Sequence, residues 1–346
     1  MSDAPALARL ACALAACLAA GCATVAPGPT EAVEDLCEFA RESGPDGLSD
    51  ITRVGGDVYY CVDDRGGLLH EVEIRVAADG SDGSFSVLRS VQLDGRVDLE
   101  GCAYDPLTHW VWVSDEYDSS IRAYDPKTGR MVAKAAVPDV YLKHARKNRS
   151  LEALAISPDG LHMYAANEDT LDCDGEPAGP GVGGIVRIQE FVRSDSADLW
   201  RPSRQLRYAT DPVEGTPYNG MALSGISAMC VLDKGRLLVL EREMSKKNVL
   251  LPTLRGRLYE VDLNTTSKTA SKRLLWDEST MFANYEGVCQ GPTLADGTRT
   301  LVLVSDGAGE ADSNILVMSV KKVLWYNTAS RKLHHEEVEC GNGEGG

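Results

Sequence analysis

Five short stretches of the chain place a hydroxyl or a carboxylate in one recurring slot. Asp98-Leu99-Glu100-Gly101-Cys102, Ser150-Leu151-Glu152-Ala153-Leu154 and Asn284-Tyr285-Glu286-Gly287-Val288 carry glutamate there. Gly47-Leu48-Ser49-Asp50-Ile51 and Gly225-Ile226-Ser227-Ala228-Met229 carry serine. The slots Ser49, Glu100, Glu152, Ser227 and Glu286 are 51, 52, 75 and 59 residues apart. Were they to converge, the glutamates would need a counterion. Two carboxylates about 5 Å apart at an effective dielectric near 20 repel by roughly 3 kcal/mol. Either their pKa values rise or a cation sits among them. Several hard oxygen ligands in flexible geometry suit calcium (Ca2+) better than magnesium or zinc. For the slots alone, a calcium that only rivets the repeats together is the simpler account.

A second acidic set follows each slot by 14 to 20 residues: Asp63-Asp64-Arg65, Asp115-Glu116, Asn167-Glu168-Asp169, Glu241-Arg242-Glu243 and Ser305-Asp306. Asp64, Asp115 or Glu168 could orient an attacking water as general base. Arg65, Arg146, Arg149 and Arg242 are candidate phosphate clamps, because a guanidinium binds phosphate through two hydrogen bonds. Glu241 and Asp306 complete the candidate substrate contacts. Such a set suits hydrolysis of phosphate esters or anhydrides, which mainly needs charge neutralisation and a positioned water. The plain reading is that these carboxylates cap turns. Ser224-Gly225-Ile226-Ser227 is not a G-x-S-x-G elbow and His144 is the only histidine near the expected site, which argues against a Ser-His-Asp esterase. A non-catalytic module binding a sugar, peptide or partner protein is the alternative.

The elements that would position these residues follow from the repeat. Self-similarity at this period indicates a radial or stacked array. Each copy opens a strand, turns at Gly or Asp, and enters a second, more apolar strand, as in Ile51–Val54 to Val58–Val62. Third strands are expected at 68–76, 120–124, 184–191, 257–261 and 314–320. Fourth strands are expected at 84–91, 130–137, 204–208 and 272–276. Four short antiparallel strands per repeat describe an all-β chain folded as a single β-propeller of five blades, with six blades or an open solenoid as alternatives. First strands line the channel of a propeller, so the slots would form a ring. Second-strand ends and the long insertions 172–183, 211–225 and 244–256 would open on the same face, together with the basic stretch 143–149. The fifth copy lacks an evident fourth strand; Val323–Tyr326 could supply it, or the chain ends could share a blade. Helical periodicity is weak except at Glu31 to Arg41.

The net charge of −17 argues against nucleic acid and anionic membrane as partners. Arg9, the apolar run Leu10–Ala20 and Leu18-Ala19-Ala20-Gly21-Cys22 read as an export signal. A cysteine directly after small residues resembles the bacterial lipoprotein signal, which implies diacylation at Cys22 and contact with membrane only through that anchor. The expected organisation is a signal over 1–22, a linker or N-terminal segment over 23–44, the propeller over 45–340 and a tail over 341–346. The expected product is an exported monomer at the cell envelope, acting on a small phosphorylated or ester substrate. Cys61, Cys102, Cys230 and Cys289 read as small buried hydrophobes, and a Cys37–Cys340 link is possible in an oxidising compartment.

The runs at 149–169, 225–243 and 284–307 resemble the bacterial phytase-like family described as having esterase-like activity, over roughly residues 45 to 320. The opening 47–67 resembles the calcium-activated nucleotidase (apyrase) family, a five-bladed propeller. Its central calcium is ringed in the order Ser, Glu, Glu, Ser, Glu, as the slots are here. These resemblances imply the fold, the metal and a hydrolase; beyond the first blade and the ring the apyrase pattern is not matched.

Overall fold

The computed structural model describes residues 30–40, 45, 47–64, 66–95, 98–217, 223–233, 235–246, 253–280, 283–307, 314–323, 326–327 and 332–333. Cys22, Arg65, Cys340 and the tail 341–346 lie outside the described residues. The chain divides into two compact units, Ala32–Lys321 and a unit made of Met1–Glu31 with Lys322–Gly346. In the latter, Tyr326–Asn327 pairs antiparallel with Lys332–Leu333.

The larger unit is built from strands in chain order. β1 (Thr30–Ala40) comes first. Blade one is β2 (Leu48–Gly55), β3 (Val58–Asp63), β4 (Leu68–Val76) and β5 (Gly83–Gln92). Blade two is β6 (Leu99–Tyr104), β7 (Val111–Asp115), β8 (Ser120–Tyr124) and β9 (Met131–Lys134). Blade three is β10 (Leu151–Ile156), β11 (His162–Asn167), β12 (Ile185–Val192) and β13 (Arg201–Ala209). Blade four is β14 (Leu223–Asp233), β15 (Arg236–Ser245), β16 (Thr253–Asp262) and β17 (Lys272–Thr280). Blade five is β18 (Ala283–Thr293), β19 (Arg299–Gly307) and β20 (Asn314–Val323), and β1 hydrogen-bonds to the outer side of β20.

These five four-stranded antiparallel sheets form a five-bladed β-propeller. The innermost strands touch in a closed cycle, β2 to β6 to β10 to β14 to β18 and back to β2. A sixth blade is thereby excluded. The fourth strand of blade five is β1, so the strand that precedes blade one closes the last blade; Leu324 and Trp325 of the expected strand Val323–Tyr326 lie outside the described residues. The segment that carried the helical periodicity is therefore a strand over Thr30–Ala40. Its apolar residues decide this, since Val33 joins the core between blades four and five while Leu36, Cys37 and Phe39 pack between blades five and one.

Burial falls outward from the axis. β14 is buried for nearly its whole length, whereas β9 is mostly exposed. Five apolar clusters fill the five gaps between neighbouring blades. Cys61, Cys102, Cys230 and Cys289 are buried, and the described cysteines form no disulfide. The one described helix, Asp139–His144, lies in the connection between blades two and three.

A buried ion pair ties those two blades together. Arg193 Nη2 donates to Asp105 Oδ1 at 2.6 Å, with both side chains almost wholly excluded from water. The Arg193 guanidinium also stacks 4.3 Å from the Trp200 ring and donates from Nε to Gly160 O. Burial pushes the Asp105 carboxyl up, but hydrogen bonds from Arg193, Thr108 and the Leu107 N–H outweigh it and hold the group below the usual carboxylate range. A depressed folded pKa gives stability that is present above the unfolded pKa of about 3.9 and lost as pH falls through the folded value. Asp105→Asn should therefore cost about 3 kcal/mol or more near neutrality, as breaking a buried pair does. Urea denaturation should show that gap constant above roughly pH 5 and closing below about pH 4; a gap independent of pH would refute the assignment.

Candidate functional site

Every slot residue sits on a β-bulge. In each innermost strand the ladder slips one residue at the slot: between Leu48 and Asp50, Leu99 and Cys102, Leu151 and Ala153, Ile226 and Ala228, and Tyr285 and Gly287. A bulge leaves its extra residue unpaired and re-aims the side chain. The five slots thus share one position in the five blades, and Glu100, Glu152 and Glu286 converge there on Arg242, while Ser227 Oγ faces Leu240 O and Tyr285 O. The position after the slot must be small because inner strands of adjacent blades come close there. A Cβ on Gly101 would lie 2.5 Å from Leu154 N and 2.6 Å from Glu152 O; one on Gly287 would lie 2.9 Å from the Asp50 Cα. The equivalent residues elsewhere are Ala153 and Ala228. Only Asp50 breaks the pattern. Its buried carboxylate accepts from Ile51 N at 2.8 Å and Cys102 N at 2.7 Å, and also from Val288 N, pinning the inner strands of blades one, two and five.

The second-strand ends separate into two sets by alternation. Asp63, Asp115, Asn167, Glu241 and Ser305 lie opposite the residues that precede the slots. Three of these are committed away from the axis. Asp63 accepts from His70 Nε2 at 2.9 Å. Asp115 pairs with Arg122 and accepts from the N–H groups of Asp98 and Tyr117. Glu241, fully buried, accepts from Tyr208 Oη at 2.6 Å, Lys272 Nζ at 2.5 Å and Asp211 N at 2.9 Å. The next residue along each strand is Asp64, Glu116, Glu168, Arg242 or Asp306, and three of these meet at the mouth.

Glu116, Glu152 and Glu168 each bring a carboxylate oxygen within 4.8 Å of the other two. Glu168 accepts from Arg149 Nη1 and from Arg242 Nη2, both at 2.6 Å. Arg242 also lies 3.5 Å from Glu152 and pairs with Glu286. Asn284 Nδ2 donates to Glu286 at 2.6 Å. Arg146, by contrast, is spent on backbone, donating to Thr170 O and Gly175 O. The structure thus gathers Glu100, Glu152, Glu286, Glu168, Arg149 and Arg242 into one cluster, and draws Asp115, Glu241 and Arg146 into local supports. Glu116 is the mouth acid of blade two, where Asp115 was the expected base. Choosing between the two needs the strand register, which the bulge between Leu99 and Cys102 sets.

Burial pushes the Glu100 and Glu152 carboxyls well above the usual range, and the charges of neighbouring glutamates push the same way. For Arg242 burial opposes the charge, but Glu168, Glu152 and Glu100 outweigh it and the guanidinium pKa is raised. Around the axis five glutamates thus face two arginines among the described residues. This donor set fits a hard divalent cation. The groups are all oxygen, the carboxyls outnumber the guanidiniums, and the Ser49 hydroxyl is buried with no hydrogen-bond partner. Ser227 donates only long bonds to Leu240 O and Tyr285 O, which leaves its lone pairs open.

Two substitutions probe this geometry. Arg242→Ala should destabilise the metal-free chain by about 3 kcal/mol in urea denaturation, because it strands buried carboxylates. Gly101→Ala should cost about 1–3 kcal/mol by forcing two backbones apart. An unchanged midpoint in either variant would mean that the contact is not made.

A family model described as "Phytase-like: Esterase-like activity of phytase" matches residues 44–307. The apyrase resemblance gains no support. No curated protein matches the chain. Among solved structures the chain is similar to hydrazine synthase from Kuenenia stuttgartiensis, at 14% identity and TM-score 0.36, over 80% of this chain and 66% of that one. It is also similar to the PQQ-bound aldose sugar dehydrogenase from Streptomyces coelicolor, at 15% identity and TM-score 0.42, over 86% and 100%. Glutaminyl cyclase from Myxococcus xanthus gives 10% identity and TM-score 0.43, over 85% and 100%. Likenesses this distant carry nothing about activity. The family match spans most of the propeller, from the residues before the first slot to the end of β19, and on that ground the chain belongs to the phytase-like family.

Proposed function

We propose that this phytase-like propeller hydrolyses phosphate esters or anhydrides with the help of calcium, and that it works at the cell envelope, tethered through Cys22. The observation that carries the reading is the imbalance of five glutamates against two arginines in a largely buried axial cluster. Glu100, Glu152 and Glu286, with the hydroxyls of Ser49 and Ser227, would hold the ion, and Glu116 stands at its mouth side. Bound there, calcium would neutralise charge on a phosphoryl oxygen.

The remaining roles fall to the arginines and Glu168. Arg149 and Arg242 are paired with Glu168 now, and an incoming phosphate would exchange for it as their anion. Released from both, the Glu168 carboxylate accepts a proton from water. The water oxygen bonds to phosphorus, the ester P–O bond breaks, and the leaving oxygen takes a proton from solvent. Asp64, next to the first-blade slot strand, is the second acid suited to that water. Asp115, Glu241 and Arg146 support the walls rather than touch substrate.

One observation favours a second reading, a non-catalytic binding propeller. Arg242 already occupies the glutamate ring as an internal counterion, so the site balances part of its charge without metal. Nucleotides, phytate and aryl phosphates, assayed with calcium and with chelator, separate the two. The hydrolase reading expects turnover that chelation abolishes and that Glu168→Gln lowers at least about a hundredfold, the scale of a general base. It also expects calcium to raise the melting temperature of the wild type, as binding to the native state alone must. A calcium-raised melt with no turnover on any substrate selects the binding module; no calcium effect on melt or turnover rejects the metal.

A further inference from the structure

We propose that His144, Asp172 and Cys173 form a second metal site, distinct from the axial ring and suited to zinc rather than calcium. His144 closes the helix Asp139–His144, while Asp172 and Cys173 open the long loop between β11 and β12. Each offers one ligating atom (an imidazole nitrogen, a carboxylate oxygen and a thiol sulfur), and the three lie within 4.8 Å of one another. His144 Nδ1 already stands 2.6 Å from Asp172 Oδ1.

The two chain segments are joined at the ligands themselves. The Asp172 N–H donates to His144 O at 3.0 Å. Arg146 secures the loop on both sides, through Thr170 O at 2.9 Å and Gly175 O at 2.8 Å, which gives that arginine a purpose. Arg187 Nη2 lies 4.0 Å from the Cys173 sulfur and helps to fix the side chain beside the other two. Its own charge is held by Asp174 through two bonds of 2.6 and 2.7 Å, so it does not oppose a metal ion strongly.

The chemistry of the donors decides the metal. Thiolate with imidazole suits zinc, whereas calcium takes oxygen ligands. In tetrahedral zinc, bonds of about 2.3 Å to sulfur and about 2.0–2.1 Å to nitrogen set the donors about 3.3–3.6 Å apart. To reach that spacing the His144–Asp172 pair, now 2.6 Å apart, opens as the ion replaces their hydrogen bond, and the donors within 4.8 Å draw in by about 1 Å. The His144 and Asp172 side chains are 39% and 57% exposed and Cys173 is exposed. A fourth position therefore faces water, the arrangement that leaves zinc free to bind a water or a small anion. Binding displaces the thiol proton to solvent.

Cobalt(II) titration of the reduced full chain tests the site, because a cobalt–thiolate bond gives a charge-transfer band in the near ultraviolet. The expected result is one equivalent bound, displaced by zinc. The band should vanish in Cys173→Ser, and affinity should fall at least about tenfold in His144→Ala, since even outer partners cost that much. In the wild type, zinc should also shield Cys173 from iodoacetamide, read by peptide mass spectrometry. No band, a band that survives Cys173→Ser, or a Cys173 alkylated as fast with saturating zinc as without it would each overturn the proposal.

Discussion

Like charge confined at an axis is the constraint on which the site depends. Water cannot reach Glu152 freely, yet Glu100, Glu168 and Glu116 stand close to it. Desolvation and mutual repulsion act together there, and each alone raises a carboxyl pKa. Arg149 and Arg242 relieve part of that cost through Glu168, and Arg242 reaches Glu152 and Glu286 as well. What is left over is negative, and it is what would draw a divalent ion or a cationic ligand to the axis. The same arginines would draw phosphate. A site that carries both charges in contact can exchange either for a ligand, and this is the physical ground for reading it as a place where an anionic substrate and a cation meet.

The backbone makes that concentration of charge possible. Strands in regular register would send alternate side chains to opposite faces and give no reason for five glutamates and serines to converge. One bulge per blade, always at the slot, breaks that alternation, and at Glu100, Glu152 and Glu286 the side chains meet around Arg242. Small residues after the slot let neighbouring inner strands approach, and at Gly101 the approach is too tight for any Cβ. Where blade one carries Asp50 in place of a small residue, the carboxylate is used as a staple for the backbone N–H groups of two neighbouring blades. Ring closure by β1 completes the frame, since it joins the start of the chain to the outer side of β20 and covers an edge that would otherwise be open.

Much of this was legible in the order of residues. The repeat period, the four-strand pattern and the hairpin turns specified a propeller, because each is local: a turn residue, an alternation, a spacing. The slots were legible for the same reason. Selection among adjacent acids was not. Asp115 and Glu116 look equivalent as a pair, yet one bonds Arg122 and the other faces Glu152 and Glu168. Glu241 and Arg242 divide likewise, one locked under Lys272 and Tyr208, the other at the centre. Which of two neighbours points inward depends on strand register, and register depends on bulges that no residue type announces.

The sequence alone determined an all-β array of five similar units, an acidic net charge, and the recurring slot whose glutamates meet. Local propensity and repetition suffice for those. Only the tertiary structure decided that β1 completes the last blade, that Glu116 takes the place expected for Asp115, and that Arg242 sits among the glutamates as their counterion. Each of these rests on contacts between residues far apart in the chain, and a charge can only be called balanced once its neighbours in space are known.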